Sequence, residues 1–296
     1  GRWSRGLGDV YKRQAKGFVT LACLNFGHRP LRAMMLTVGL AYLPIVAAST
    51  QAQSADSLGA TATATRSESP DKALLTAVKS GDVNRTRALL AEGASADSTT
   101  GDRHKRSVLI ISTILGDLEM ARLLLSNGAS IDQQDAEGLT ALNWAALRGQ
   151  TQIAGLLLDH GANVDLPNGQ QVTPLLYAIG TGNRDLSRLL LERGANPNEE
   201  SEENKITALL LAVENGDAYI ASILLDYGAA VNQTNSDGYS PLMAASEAGE
   251  LSLVELLVSD GADPRLADHK GRKAEDFARR AGHQEIVTEL RHAAER

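Results

Sequence analysis

Cysteine is nearly missing from this 296-residue chain: Cys23 stands alone. No intrachain disulfide can form, and no thiol chemistry follows that position. Aromatic residues make up only 4 %, with two Trp, six Tyr and three Phe. Such a poor supply of rings argues against one thick core and for thin layers of small apolar side chains. The six histidines are scattered, with no i, i+4 pair and no second ligand type nearby, so no metal site is expected. Basic charge is also short. Of 29 Lys/Arg and 36 Asp/Glu, residues 1–69 hold 8 and 3, which leaves 21 against 33 and a balance of −12 in residues 70–296. Nucleic acid binds by phosphate neutralisation, so no nucleic-acid partner is expected.

Recognisable chemistry is lacking too. Asn235-Ser236-Asp237-Gly238 is faintly like a calcium loop, but Ala244 stands where the bidentate glutamate belongs. Gly180-Thr181-Gly182 has neither the third glycine nor the preceding strand of a dinucleotide loop. Ser112, Ser187 and Ser222 have no nucleophile elbow. The expectation is a non-enzyme with no cofactor.

What is present begins with a leader. Residues 1–14 match nothing downstream and are similar to an adaptor-derived run, and residues 1–32 are read as artefactual or leader sequence. His28, Arg29 and Arg32 then precede an apolar run at 33–48, too short for the ~20 residues of a membrane span. This is the layout of a signal peptide, which predicts a periplasmic or secreted protein, with a cytoplasmic one as the alternative. The mature chain is expected to have no membrane span. Residues 49–69 are small and polar and predict a flexible tether. Ser69-Pro70-Asp71 reads as an N-cap, an N1 proline and a first-turn acid that open the folded part.

From there one unit recurs. Thr140 caps a helix carrying Leu142, Ala145 and Ala146 on one face, and Gly149 stops it. A second helix carries Ile153, Leu156 and Leu157 and stops at Gly161-Ala162. The Gly-Ala stop returns at Gly93, Gly128, Gly161, Gly194, Gly228 and Gly261, at separations of 35, 33, 33, 34 and 33. Helix-opening residues and inter-helix glycines keep the same phase, and Asp82, Asp117, Asn183 and Asp217 are placed to cap second helices. Helices this short cannot bury their stripes alone and must stack on copies of themselves.

The period, Ala145-Ala146, Leu156-Leu157-Leu158 and Gly161-Ala162-Asn163-Val164-Asp165 resemble the ankyrin repeat. The resemblance implies an all-α solenoid of helix-turn-helix units with projecting β-turn or hairpin fingers. It covers residues 70–296 in about seven units: 70–101, 102–134, 135–167, 168–200, 201–234, 235–267 and 268–296. The family's bridging histidine is replaced by Ile110, Asn143, Leu176, Leu210, Met243 and Asp276, so its hydrogen bonds must be absent or remade. The fingers before Ser107 and Thr207 are longer than the rest.

The resemblance also implies a concave groove, lined by fingertips and first-helix ends, that binds a protein partner. On this sequence the fingers supply Arg103, Arg106, Glu137, Leu139, Gln170, Val172, Glu203, Ile206, Tyr239 and Lys270. First-helix ends supply Ile114, Leu115, Leu147, Arg148, Glu214 and Glu247. Leu139, Val172, Ile206 and Tyr239 share one position in their units, expected to be either a half-exposed row open to a partner or packing against the next finger. The expected function is a monomeric, non-catalytic interaction scaffold. A host-directed secreted effector and a regulatory fragment of a longer enzyme-bearing polypeptide are the alternatives.

Overall fold

The structure is a computed structural model that describes residues 69–295. The adaptor-like run, the signal-peptide region, Cys23 and the tether up to residue 68 lie outside the described residues. Within them are fourteen helices in seven pairs. In chain order the pairs are α1 (Pro70–Lys79) with α2 (Val83–Ala91), α3 (Val108–Leu115) with α4 (Leu118–Ser126), and α5 (Ala141–Arg148) with α6 (Thr151–Asp159). Then come α7 (Pro174–Gly180) with α8 (Arg184–Glu192), and α9 (Ala208–Glu214) with α10 (Ala218–Asp226). The last two pairs are α11 (Pro241–Ala248) with α12 (Leu251–Ser259), and α13 (Ala274–Ala281) with α14 (Gln284–Glu295). Each first helix packs on the first helix of the next unit, and each second helix on the next second helix. This is the all-α solenoid that the repeat predicts.

Local chemistry sets the helix ends. Ser69 caps α1 ahead of Pro70, and Asp82, Asp117, Asn183 and Asp217 each accept an N–H of the second helix they precede. Thr140 accepts from the Asn143 N–H while Asn143 Oδ1 accepts from the Thr140 N–H, a reciprocal pair that satisfies two donors at once. The Asn235 run is a finger turn: Asn235 Oδ1 accepts the N–H groups of Asp237 and Tyr239. Gly149 ends α5 at φ 67°, where an L side chain would be strained.

The apolar stripes close on one another. Leu142, Ala145 and Ala146 are 0–1 % exposed, and Leu157 is fully covered. Each buried leucine contributes roughly 1.5–3 kcal/mol. At the far end Phe277, Ile286, Val287 and Leu290 are buried while Arg279, Arg280 and Arg291 face water, so the last unit has one apolar and one polar side.

The fingers are held without the bridging histidine. Along the tips a backbone ladder joins consecutive units: the N–H groups of Ala136, Gly169, Glu202, Ser236 and His269 donate to the carbonyls of His104, Glu137, Gln170, Asn204 and Asp237 at 2.8–3.2 Å. On the other side of the fingers Asp97, Asp132, Asp165, Asn198 and Asn232 accept the N–H of Ser130, Asn163, Asn196, Ala230 and Asp263 in the following unit. Asn143 remakes the missing side-chain bridge once, donating from Nδ2 to the Leu166 carbonyl. The two long fingers close through bridges at Thr99–Ser107 and Glu200–Thr207, with Lys105, Asn204 and Lys205 at positive φ.

Candidate functional site

Each finger begins with a side chain that ties its own tip. Asp135 Oδ1 accepts from the N–H groups of Glu137 and Leu139, and Asn168 Oδ1 from those of Gln170 and Val172. Ser201 Oγ accepts from the Ile206 N–H and donates to the Glu203 carbonyl. Asp268 accepts from the N–H groups of Lys270 and Arg272. Sequence reading passed over these residues. Their signal was a small polar residue five or six places before each helix-opening cap.

The tied tips fold the apolar row inward. Leu139 (2 %), Val172 (4 %), Ile206 (1 %) and Tyr239 (4 %) are all buried, which corrects the half-exposed placement. Tyr239 meets the edge of Phe277 at 5.2 Å between centroids, so this fingertip side chain packs on the first helix of the next unit. Arg106 occupies the same place in its unit and is equally withdrawn, at 5 % exposure, with its guanidinium 5.1 Å from the Trp144 ring. Ile114 and Leu147 are buried as well, so seven of the positions expected to face a partner lie in the floor beneath the surface.

What the face presents to solvent is a shorter set. Arg103, Leu115, Gln170, Glu203, Glu247 and Lys270 are exposed, and Glu137, Arg148 and Glu214 are half-buried. Its electrostatics change along the stack. At the early end Arg106 Nε lies 4.0 Å from Asp135 Oδ2, which also accepts the Trp144 indole N–H at 2.9 Å. Burial pushes the Asp135 carboxyl above its usual range, against the pull of the Trp144 and Leu139 hydrogen bonds. His104 Nδ1 and Glu137 Oε1 are 2.8 Å apart. Arg148 stands beside this group. Burial first, and then the Arg106 guanidinium, draw its pKa below the ordinary arginine value.

At the late end the sign reverses. Glu247 accepts the Tyr239 hydroxyl at 2.6 Å, and Glu214 acts on the same hydroxyl. Burial, then the bond to and the charge of Glu247, hold the phenol far above its usual pKa, so it stays a donor. Arg272 is tied to Asp268 at 2.6 Å and lies 4.5 Å over Phe277. Between the ends, a depression of about 610 Å³ opens at the junction of α5 with the α7–α8 turn, lined by Leu147, Arg148, Gly149, Thr181, Gly182, Asn183, Arg184 and Asp185. Among the described residues no group of three His, Cys, Asp or Glu is placed to hold a metal ion, and no helix is long and apolar enough to cross a membrane.

Comparison with known families matches ankyrin repeats in three copies, over residues 45–135, 127–201 and 196–268. Among solved structures, the ankyrin repeat domain of Bcl-3, a member of the IkappaB protein family, is similar with a TM-score of 0.67 and 29 % identity, over 74 % of this chain and 97 % of that one. An ankyrin repeat domain from Acinetobacter baumannii AYE is similar with a TM-score of 0.59 and 31 % identity, over 62 % of this chain and 96 % of that one. Among curated proteins, the ARF GTPase-activating protein GIT1 of Homo sapiens is 47 % identical over 53 residues, which is 18 % of this chain. The ARF GTPase-activating protein GIT2 of Mus musculus is 43 % identical over the same length. The chain spans only 7–8 % of the length of these relatives. With matched copies over more than half its length and helix pairs stacked unit on unit, the chain belongs to the ankyrin repeat family, and its repeats mark a protein–protein interaction scaffold.

Proposed function

We propose that this protein is a non-catalytic scaffold that binds a protein partner along the face formed by its fingertips and first-helix ends, and that it works outside the cytoplasm as a monomer. The observation that carries the binding face is its layout. A floor of buried side chains holds exposed Leu115 and Glu247 and half-buried Arg148 at fixed places on rigid helix ends. Preorganised groups of this kind bind without first having to be ordered. Export is supported by the basic residues ahead of the apolar run at 33–48.

The test is a pull-down from the native organism with Leu115→Ser, Arg148→Ser, Glu203→Ser and Glu247→Ser combined. Loss of the partner with an unchanged circular dichroism spectrum is the expected result. Full recovery of the same partner removes this face from consideration. Export is checked by fusing residues 1–68 to a phosphatase that is active only outside the cytoplasm; a silent reporter rejects it. A second reading, a regulatory segment of a longer polypeptide, draws on the short match to relatives of which this chain spans so little. Sequencing the intact locus decides between the two.

A further inference from the structure

Three arginines among the described residues are withdrawn from solvent: Arg106, Arg148 and Arg272. Arg106 and Arg272 each lie over an aromatic ring beside an aspartate. Arg148 lies over no ring and makes no ion pair among the described residues, although Asp185 lines the same depression. It is partly desolvated without an ion-pair partner, next to a second guanidinium. A ligand carboxylate is the group that would relieve this, and Arg148 lines the 610 Å³ depression through which one could reach it.

Its neighbours define the rest of the ligand. One unit earlier, Leu115 holds the same place in its helix and is 39 % exposed, one of three large apolar side chains so open among the described residues. Two and three units later, Glu214 and Glu247 hold the place of Leu147 in theirs. The first-helix ends therefore run apolar, positive, negative in chain order, beside the fingertip charges. A small anion satisfies only the middle of this order, whereas an extended peptide can satisfy all of it.

Spacing follows from the stack. The first helices α3, α5, α7, α9 and α11 pack in succession, packed helices lie ~8–10 Å apart, and an extended peptide advances ~3.3 Å per residue. We propose that the face reads an extended segment of a protein partner by the order of its charges. An apolar side chain sits over Leu115, a carboxylate about three residues away sits on Arg148, and lysine or arginine about five to nine residues beyond meets Glu214 and Glu247. This rests on the proposed use of the face for binding and adds to it the partner's chemistry and register.

The test is selection from a phage-displayed random peptide library, long enough to span three units or more, on the immobilised full-length chain. Recovered peptides should share the apolar–acidic–basic order at these spacings. Arg148→Glu should weaken their binding at least about tenfold and select a base where the acid stood. Glu214→Lys with Glu247→Lys should select acids in place of the bases. Should Arg148→Glu fail to fold, Arg148→Gln serves instead: it keeps the apolar preference and loses the acidic one. Peptides without a charge order, or with the same order on the Arg148 variants, overturn the proposal yet leave the binding face standing, provided the Leu115 and Glu247 changes still weaken them. Recovery of no peptide sensitive to any of these positions overturns both.

Discussion

Arg106 and Arg272 occupy the same place in their units, yet they are held differently. Arg272 lies over Phe277 of its own unit and pairs at 2.6 Å with Asp268, which also closes its finger. Arg106 lies over Trp144 of the following unit and stands 4.0 Å from that unit's Asp135, with Arg148 nearby. The first arginine is a self-contained clasp at the end of the stack. The second joins two units and is crowded by another cation. One column of a repeat can thus carry one residue type in two roles, because the neighbouring unit supplies half of the environment.

The largest test removes the ring under the crowded arginine. Trp144→Ala should cost about 3–5 kcal/mol in denaturant unfolding, the range for a fully buried aromatic. Phe277→Ala should cost less, because its unit has a neighbour on one side only. Equal losses would mean that position in the stack does not matter. Next, Arg106→Leu should cost about 1–3 kcal/mol by leaving Asp135 buried with a weaker countercharge. The loss is held down because Trp144 and Leu139 still donate to that carboxylate.

Asp268→Ala should cost about 1–2 kcal/mol, since it releases two finger N–H groups and the Arg272 clasp at a part-solvated site. Smallest of all should be Arg272→Val combined with Asp268→Asn. This gives the last finger the pair that Asn168 and Val172 already form in the fourth, where the amide oxygen accepts both finger N–H groups. A net change below about 1 kcal/mol is expected, because an ion pair contributes little over neutral groups of similar shape. A large loss from the double variant in thermal unfolding would show that the charged clasp at the late end does more than close its own finger.

Much of the architecture was legible from spacing. Caps such as Thr140 and Asp217, stops such as Gly149 and stripes such as Ile153–Leu156–Leu157 are local signals that act within a turn or two of helix, so they show in a single chain. The candidate site was legible only in its charged and polar members. Leu139, Val172, Ile206 and Tyr239 were marked as one column, but the column does not say which way it faces. That depends on the finger being drawn down by Asp135, Asn168, Ser201 and Asn235, and, for Tyr239, on the Phe277 ring in the next unit. Arg148 shows the converse. It was named with the other first-helix ends, and only its burial and its lack of an ion-pair partner set it apart from Arg103 and Lys270.

The sequence by itself determined the unit, its period and its stacking, because short amphipathic helices with fixed stops have no other way to cover their apolar sides. Only the tertiary structure decided which fingertip residues became floor and which stayed on the surface. Exposure is a property of what lies across the gap, and across each gap lies a different unit of the chain.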